Sequence, residues 1–466
     1  MSEIKLNPTT DYSRKIYSGP SYRVSKVVPI SSGQTLSIPQ SSTANIQFEL
    51  PAAVLNLAKS KLYFDISVPL VASAYSWIYA DPLALIDRIQ LSTRSGTSLI
   101  DIQGVNNFSA VLSPIMTSNT ELYQRSVGGL THAGVIPITV NGTIATDSQQ
   151  CPLQGLQIFN GLQSANYRYD DATAASSTAE VAYSEQRYLF GSLVSTIQCQ
   201  SYQLNLDLVK HSILAINKDL FFNENIILSI TFAPSNKFTW TTTTAYPAGT
   251  SILANPTSIS VSNLSLYLMI ETNTAIIEGL RQKVLSPEGF SLLCPFVYSQ
   301  KVNSGTNSSS SSIFQRFNRG HGRSILRTYW SLFNGSETLN TALDRTNVAN
   351  AKVISYRSTI NNMNIQEFPI DCSRSEEWLL NSDILDGSAV LSIDQYKYLF
   401  THTDDFTSMR PLYLADDTME CGKALDQEIT YGVYCNTVSS GSSYNHYLFT
   451  VVQRELKIVA GQIGWN

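Results

Sequence analysis

Hydrophobic and polar positions alternate with a period of two along much of the chain. Ile46-Gln-Phe48-Glu-Leu50 is one such run. In another, Leu62, Phe64, Ile66, Val68 and Leu70 alternate with Tyr63, Asp65, Ser67 and Pro69. Tyr202, Leu204, Leu206 and Leu208 alternate with polar neighbours, and Ile226–Phe232 sets Leu228, Ile230 and Phe232 on one face. Ile86–Arg94 and Ser98–Gln103 read as two strands around the turn Ser95-Gly96-Thr97. Strands of this kind bury one face and wet the other, as in antiparallel sandwiches.

Helical spacing is rare. Gly104–Met116 carries Val105, Phe108, Val111 and Leu112 before Pro114 disrupts it. Asn273–Leu285 reads as a capped helix with Ile276, Ile277, Leu280 and Val284 inward. Ser373–Asn381 offers a third, with Ser373 as cap and Glu376 at the capping-box position. The expected fold class is therefore all-β: two consecutive β-sandwiches, a few short helices and long loops.

A Pro- and Thr-rich stretch separates two strand-rich halves of similar length. The expected division is a basic arm over 1–26, a first sandwich over 27–234, a linker over 235–257 and a second sandwich over 258–466. Ser258–Glu271, with Leu264, Leu266, Leu268 and Ile270 alternating, is expected to open the second half. Asn141–Ser184, Ser304–Ser312 and Val438–Ser443 are small and polar and read as loops at the sandwich ends.

Composition narrows the function. Only 14% of the 466 residues are charged, and polarity comes instead from 61 Ser, 38 Thr and 31 Asn. A typical soluble domain carries about 25% charge. The net charge of -5 argues against a nucleic-acid coat and against sequence-specific nucleic-acid binding. The beginning of the chain departs from that balance. Lys5, Arg14, Lys15, Arg23 and Lys26 face only Glu3 and Asp11. They suit either a solvated arm or one laid on an anionic inner surface or a neighbouring subunit. Met1–Lys26 has no apolar h-region, so no signal peptide is read there, and no apolar run approaches the length of a membrane helix.

Candidate chemistry is thin. Cys151, Cys199, Cys294, Cys372, Cys421 and Cys435 form no C-x-x-C pair and read as buried thiols, with a Cys421–Cys435 bridge as the oxidising alternative. His402-Thr-Asp404-Asp405 has the residue types of a metal site but reads as a solvated turn. Arg316, Arg319 and Arg323 flank Gly320-His-Gly322 and suit a basic turn or an intersubunit contact better than a phosphate site. There is no G-x-S-x-G elbow, P-loop or G-x-G-x-x-G. The reading is of a non-enzymatic protein that binds no cofactor and packs against copies of itself.

Four stretches carry a family resemblance. They are Phe48-Glu-Leu50-Pro51 running into Lys61–Leu70; Leu85–Leu91 with the following turn and Val105–Leu112; Tyr202–Phe232; and Ile325–Asn334 leading through Ala351–Ile360 to Asn361-Asn362. In this order they resemble the double jelly-roll major capsid proteins of icosahedral double-stranded DNA viruses, of virophage or polinton-like type. The resemblance implies two jelly rolls side by side and a homotrimer forming a pseudo-hexagonal capsomer of the virion shell. The implied partners are neighbouring capsomers, minor capsid, penton or cement proteins, and an internal viral membrane. The long loops would form towers on the outer face. Two other readings stay open: a carbohydrate-binding β-sandwich surface or fibre protein, and a bacteriophage tail or baseplate component.

Overall fold

The structure, a computed structural model, describes residues 19–30, 35–68, 75–79, 82–109, 139–140, 143–144, 187–190, 198–242, 252–253, 258–307, 312–317, 324–334, 352–360, 363–364, 367–371, 402–405, 431–438 and 442–465. Chain order begins with β1 (Tyr22–Val27), β2 (Leu36–Pro39), β3 (Ala44–Leu50), β4 (Val54–Val68), β5 (Tyr75–Tyr79), β6 (Ile86–Thr93) and β7 (Ser98–Gln103). Then come β8 (Thr139–Val140), β9 (Thr143–Ile144), β10 (Arg187–Phe190), β11 (Gln198–Asn205), β12 (Leu220–Phe221) and β13 (Ile226–Phe232). β14 (Thr239–Thr242), β15 (Ile252–Leu253) and β16 (Ser258–Glu271) precede the helix α1 (Thr274–Leu285). Beyond it lie β17 (Phe290–Asn307), β18 (Ser312–Phe317), β19 (Ser324–Asn334), β20 (Lys352–Ile360), β21 (Met363–Asn364) and β22 (Ile370–Asp371). The chain closes with β23 (His402–Asp405), β24 (Tyr431–Val438), β25 (Ser442–Val459) and β26 (Gln462–Trp465).

The first sandwich pairs the sheet β1-β16-β4-β11, to which β2 and β12 add, with the sheet β3-β13-β6-β7. The alternating residues meet in its core. Phe64 stacks on Tyr202 at 5.2 Å and meets Phe232 of the facing sheet edge-on at 5.4 Å. Leu228 lies opposite Phe48 on one side and Leu91 on the other, so the apolar faces of β3, β13 and β6 stay in register. The second sandwich pairs β17-β25-β19-β23, extended by β26, with β18-β24-β20, onto which β21 and β22 pair. Trp330 of β19 meets Tyr356 of β20 edge-on at 5.1 Å and bridges its two sheets.

Five sequence expectations change. Ser258–Glu271 does not open the second sandwich: β16 is hydrogen-bonded between β1 and β4 of the first. Its alternating Leu264, Leu266, Leu268 and Ile270 complete the first core. The stretch expected as a linker, 235–257, supplies β14 and β15 to a small sheet of order β10-β5-β14-β15, and α1 makes the connection between the sandwiches. Tyr22–Lys26, expected within a free arm, lies in β1, because the edge of β16 offers backbone partners from Leu266 to Glu271. His402–Asp405 is a strand, not a turn, paired with Arg327–Trp330 of β19. Strands also enter all three of the expected polar loops: β9 lies within Asn141–Ser184, and β17 reaches Asn307 and pairs there with Ser442 of β25.

The helices behave as edge pieces. Asn273 caps α1, its Oδ1 accepting from the Ala275 N–H at 3.1 Å. Within α1 only Val284 is fully buried, while Ile276, Ile277 and Leu280 are half-buried. A helical turn covers 105–109, with Val105 and Phe108 buried; the rest of that expected helix, and all of Ser373–Asn381, lies outside the described residues.

Candidate assembly surfaces

The start of the described chain is fastened to the end of β16. The Glu271 carboxylate is buried, and its Oε1 accepts from the backbone N–H of Ser21 (2.8 Å), Thr272 (2.9 Å) and Asn273 (2.7 Å). Asn273 Nδ2 donates to the Gly19 carbonyl at 2.9 Å. One residue on, Tyr22 OH donates to Asp219 Oδ1 at 2.8 Å, and Lys59 Nζ lies 4.2 Å over the Tyr22 ring. Burial, reinforced by Asp219, pushes the Tyr22 phenol up to about 12.

Of the five basic residues read as an arm, Arg23 and Lys26 project exposed from β1, opposite Ile270 and Tyr267 of β16. Lys5, Arg14 and Lys15 lie outside the described residues. This placement separates two truncations. Removing residues 1–27 should lower the melting temperature below that of a chain lacking only residues 1–18. The longer truncation strips an edge strand and takes the Ser21 N–H from a buried carboxylate, a loss of about 1–3 kcal/mol for that group alone. Thermal melts of the two truncations check this; equal melting temperatures would mean that β1 contributes nothing.

The two sandwiches meet along a joint the sequence did not reveal. Gln103 N–H of β7 donates to Ser299 Oγ of β17 at 3.2 Å. Thr97 Oγ1 donates to the Ile463 carbonyl at 3.1 Å, and Trp465 Nε1 donates to the Ser98 carbonyl at 2.6 Å. Trp465 is held by the Arg454 guanidinium, 4.5 Å over its ring, which also lies 5.0 Å over Phe296. Deeper in, Phe108 packs against Phe449 at 4.6 Å. Gly104, at a φ of +68°, leaves room for Tyr447, whose ring would stand 3.3 Å from a Cβ there.

His211 sits in this joint. Its Nε2 shares a 3.1 Å hydrogen bond with Tyr329 OH of the second sandwich, and its backbone has a φ of +55°. Non-glycine residues adopt that conformation at a cost. Burial first, then Arg327 and Lys210, lowers its imidazole to about 4. A groove of about 310 Å³ opens beside it, lined by Leu293, Cys294, Arg327 and Gln453 among others. Burial raises the Cys294 thiol to about 12, so it stays protonated and poorly nucleophilic.

Among the described residues no group of three His, Cys, Asp or Glu side chains could hold a metal ion. No described helix is long and apolar enough to cross a membrane. The loop around Gly320-His-Gly322 lies outside the described residues, as does Cys421.

Two antiparallel sandwiches, joined by a short helix and packed side by side, define the double jelly-roll class. Solved structures agree. The Sputnik virophage, determined by cryo-electron microscopy, contains a chain that superposes with a TM-score of 0.56 at 10% identity, over 100% of this chain and 93% of that one. The mavirus major capsid protein gives 0.54 at 10% identity over 100% and 96%, and the faustovirus major capsid protein 0.53 at 10% over 98% and 93%. No protein-family model matches the sequence, and no curated protein sequence does. The shared property is the fold, a double jelly roll over nearly the whole chain.

Proposed function

We propose that this chain is a major capsid protein, a structural subunit of an icosahedral double-stranded DNA virus. Three copies form a pseudo-hexagonal capsomer, and capsomers tile the shell. One observation carries the reading: both jelly rolls, and the whole span between them, find counterparts in the mavirus protein over 100% of this chain and 96% of that one. A two-sandwich subunit suits hexagonal tiling, because three copies present six similar modules. Surfaces with few charges bury few unpaired ions when they meet. Neighbouring capsomers and minor capsid proteins are the partners this role requires, and the basic residues Lys5, Arg14 and Lys15 suit contact with them or with an internal membrane. The role needs no cofactor and no catalytic step.

The test is the mass of the purified full-length protein by light scattering, with negative-stain imaging. The expected result is a particle of three times 51.4 kDa with a hexagonal outline. A strict monomer at high concentration overturns the capsomer and favours a carbohydrate-binding surface protein.

A further inference from the structure

The apolar face that builds the joint runs on past the point where the first sandwich covers it. Side chains two apart on a strand share a face, so Tyr447, Phe449, Val451 and Gln453 form one row on β25. Phe108 of the first sandwich packs on Phe449 and covers the start of that row. Val451 and Gln453 continue it into the groove of about 310 Å³, where His211 is the wall from the first sandwich. Leu293 and Pro295, also two apart, bring β17 to the same groove, with Pro295 opposite Gln453. Leu293 is 61% exposed at its rim.

The two ends of the groove differ in chemistry. Arg327 of β19 lies opposite Val451, and Leu293 of β17 lies opposite Glu455. The two are thus four residues apart along β25, roughly 13 Å at ~3.3 Å per residue. Leu293, Pro295 and Val451 make the length between them apolar. At the Arg327 end the charge is positive: Arg327 and Lys210 both lie near enough to the His211 ring to repel its proton. No carboxylate is among the described residues that line the groove. A guanidinium carries five N–H donors, so one partner on it leaves others to meet a ligand. The volume suits about ten heavy atoms at ~30 Å³ each. An apolar trough with a few polar groups at one end is the usual form of a small-molecule site.

We propose that this groove binds a small aliphatic carboxylate, its chain along Val451, Pro295 and Leu293 and its carboxylate on Arg327. The inference is independent of the capsid-subunit reading. Bound there, the ligand touches His211 of the first sandwich and three strands of the second, so it lengthens the joint and stabilises the folded chain. A neutral alcohol of the same length keeps the apolar contact and loses the charge-assisted hydrogen bonds. A short carboxylate keeps the charge and loses the chain.

The experiment titrates the full-length protein with sodium octanoate, 1-octanol and sodium acetate at pH 7.5 by calorimetry, for the wild type, R327M and L293D. Octanoate should bind the wild type saturably, one per chain, and raise its melting temperature. 1-Octanol should bind more than about tenfold more weakly, and acetate should give no saturable signal. R327M should weaken octanoate by about tenfold or more and leave 1-octanol unchanged. L293D, on an exposed side chain, should weaken octanoate with an unchanged circular-dichroism spectrum. Absence of saturable octanoate binding to the folded wild type overturns the site. Equal affinity for octanoate and 1-octanol overturns the carboxylate assignment. Undiminished octanoate binding by folded L293D places the ligand elsewhere and overturns the groove, and this arm and the octanoate-to-octanol ratio decide the outcome if R327M does not fold.

Discussion

Replacing Trp330 with alanine lowers the free energy of unfolding by about 3–5 kcal/mol and makes the second sandwich the first part of the molecule to melt. The indole is fully buried on β19, edge-on to Tyr356 in the facing sheet and 5.0 Å from the His446 ring. It spans the gap between two sheets that cannot collapse onto the space it leaves, because each is held by its own ladder: β19 between β25 and β23, β20 against β24. A residual cavity of that kind adds to the lost transfer energy. Calorimetry of the variant should resolve an early transition for the second sandwich and a later one for the first, whose core is built on Phe64, Tyr202 and Phe232. A loss below about 1 kcal/mol would mean that the sheets do repack.

Acid weakens the joint between the sandwiches through His211. The imidazole is held near 4 in the fold against an ordinary value of 6.5. The unfolded chain therefore takes up the proton first as pH falls. The stability linked to this residue is intact above pH 6.5, declines as pH falls through the interval, and is gone below about 4. The difference corresponds to roughly 3 kcal/mol at 1.36 kcal/mol per unit. Arg327 and Lys210 act in the same direction as burial, since each repels the protonated ring. His211→Asn is the informative substitution, because asparagine tolerates the left-handed backbone and does not titrate. Equilibrium denaturation from pH 7.5 down to 4 should show a flatter pH dependence for the variant. Identical slopes would remove His211 from the acid response.

Much of the fold was legible because its strands are half-buried. Ile46–Leu50, Leu62–Val68 and Ile226–Phe232 alternate cleanly for that reason, and all three are strands of the first core. Pairing was less legible than strand formation. Ser258–Glu271 announces a strand by its own period, but that period says nothing about its partners, and these lie near residues 22–27 and 55–67. The edge strands were hidden for a different reason. Tyr22–Val27 carries no clear period because none of its side chains is fully buried, and His402–Asp405 is too polar to resemble a core strand. The joint left no sequence signal at all. His211 and Tyr329 are 118 residues apart, and only the packing of two finished sandwiches brings them together.

The position of β16 has a consequence for synthesis. Ser21 and the carboxylate that holds it are separated by 250 residues. On a ribosome adding about 5–20 residues per second, β1 waits roughly 12–50 s for a partner after it emerges. For that time β4, with Leu55, Leu57, Leu62, Phe64 and Ile66, lacks the strand that completes its sheet. The first jelly roll to be translated is therefore not finished until its last strand arrives, on the threshold of the second. Nascent chains should be most prone to aggregate, and most dependent on chaperones, in the interval before residue 271 clears the exit tunnel.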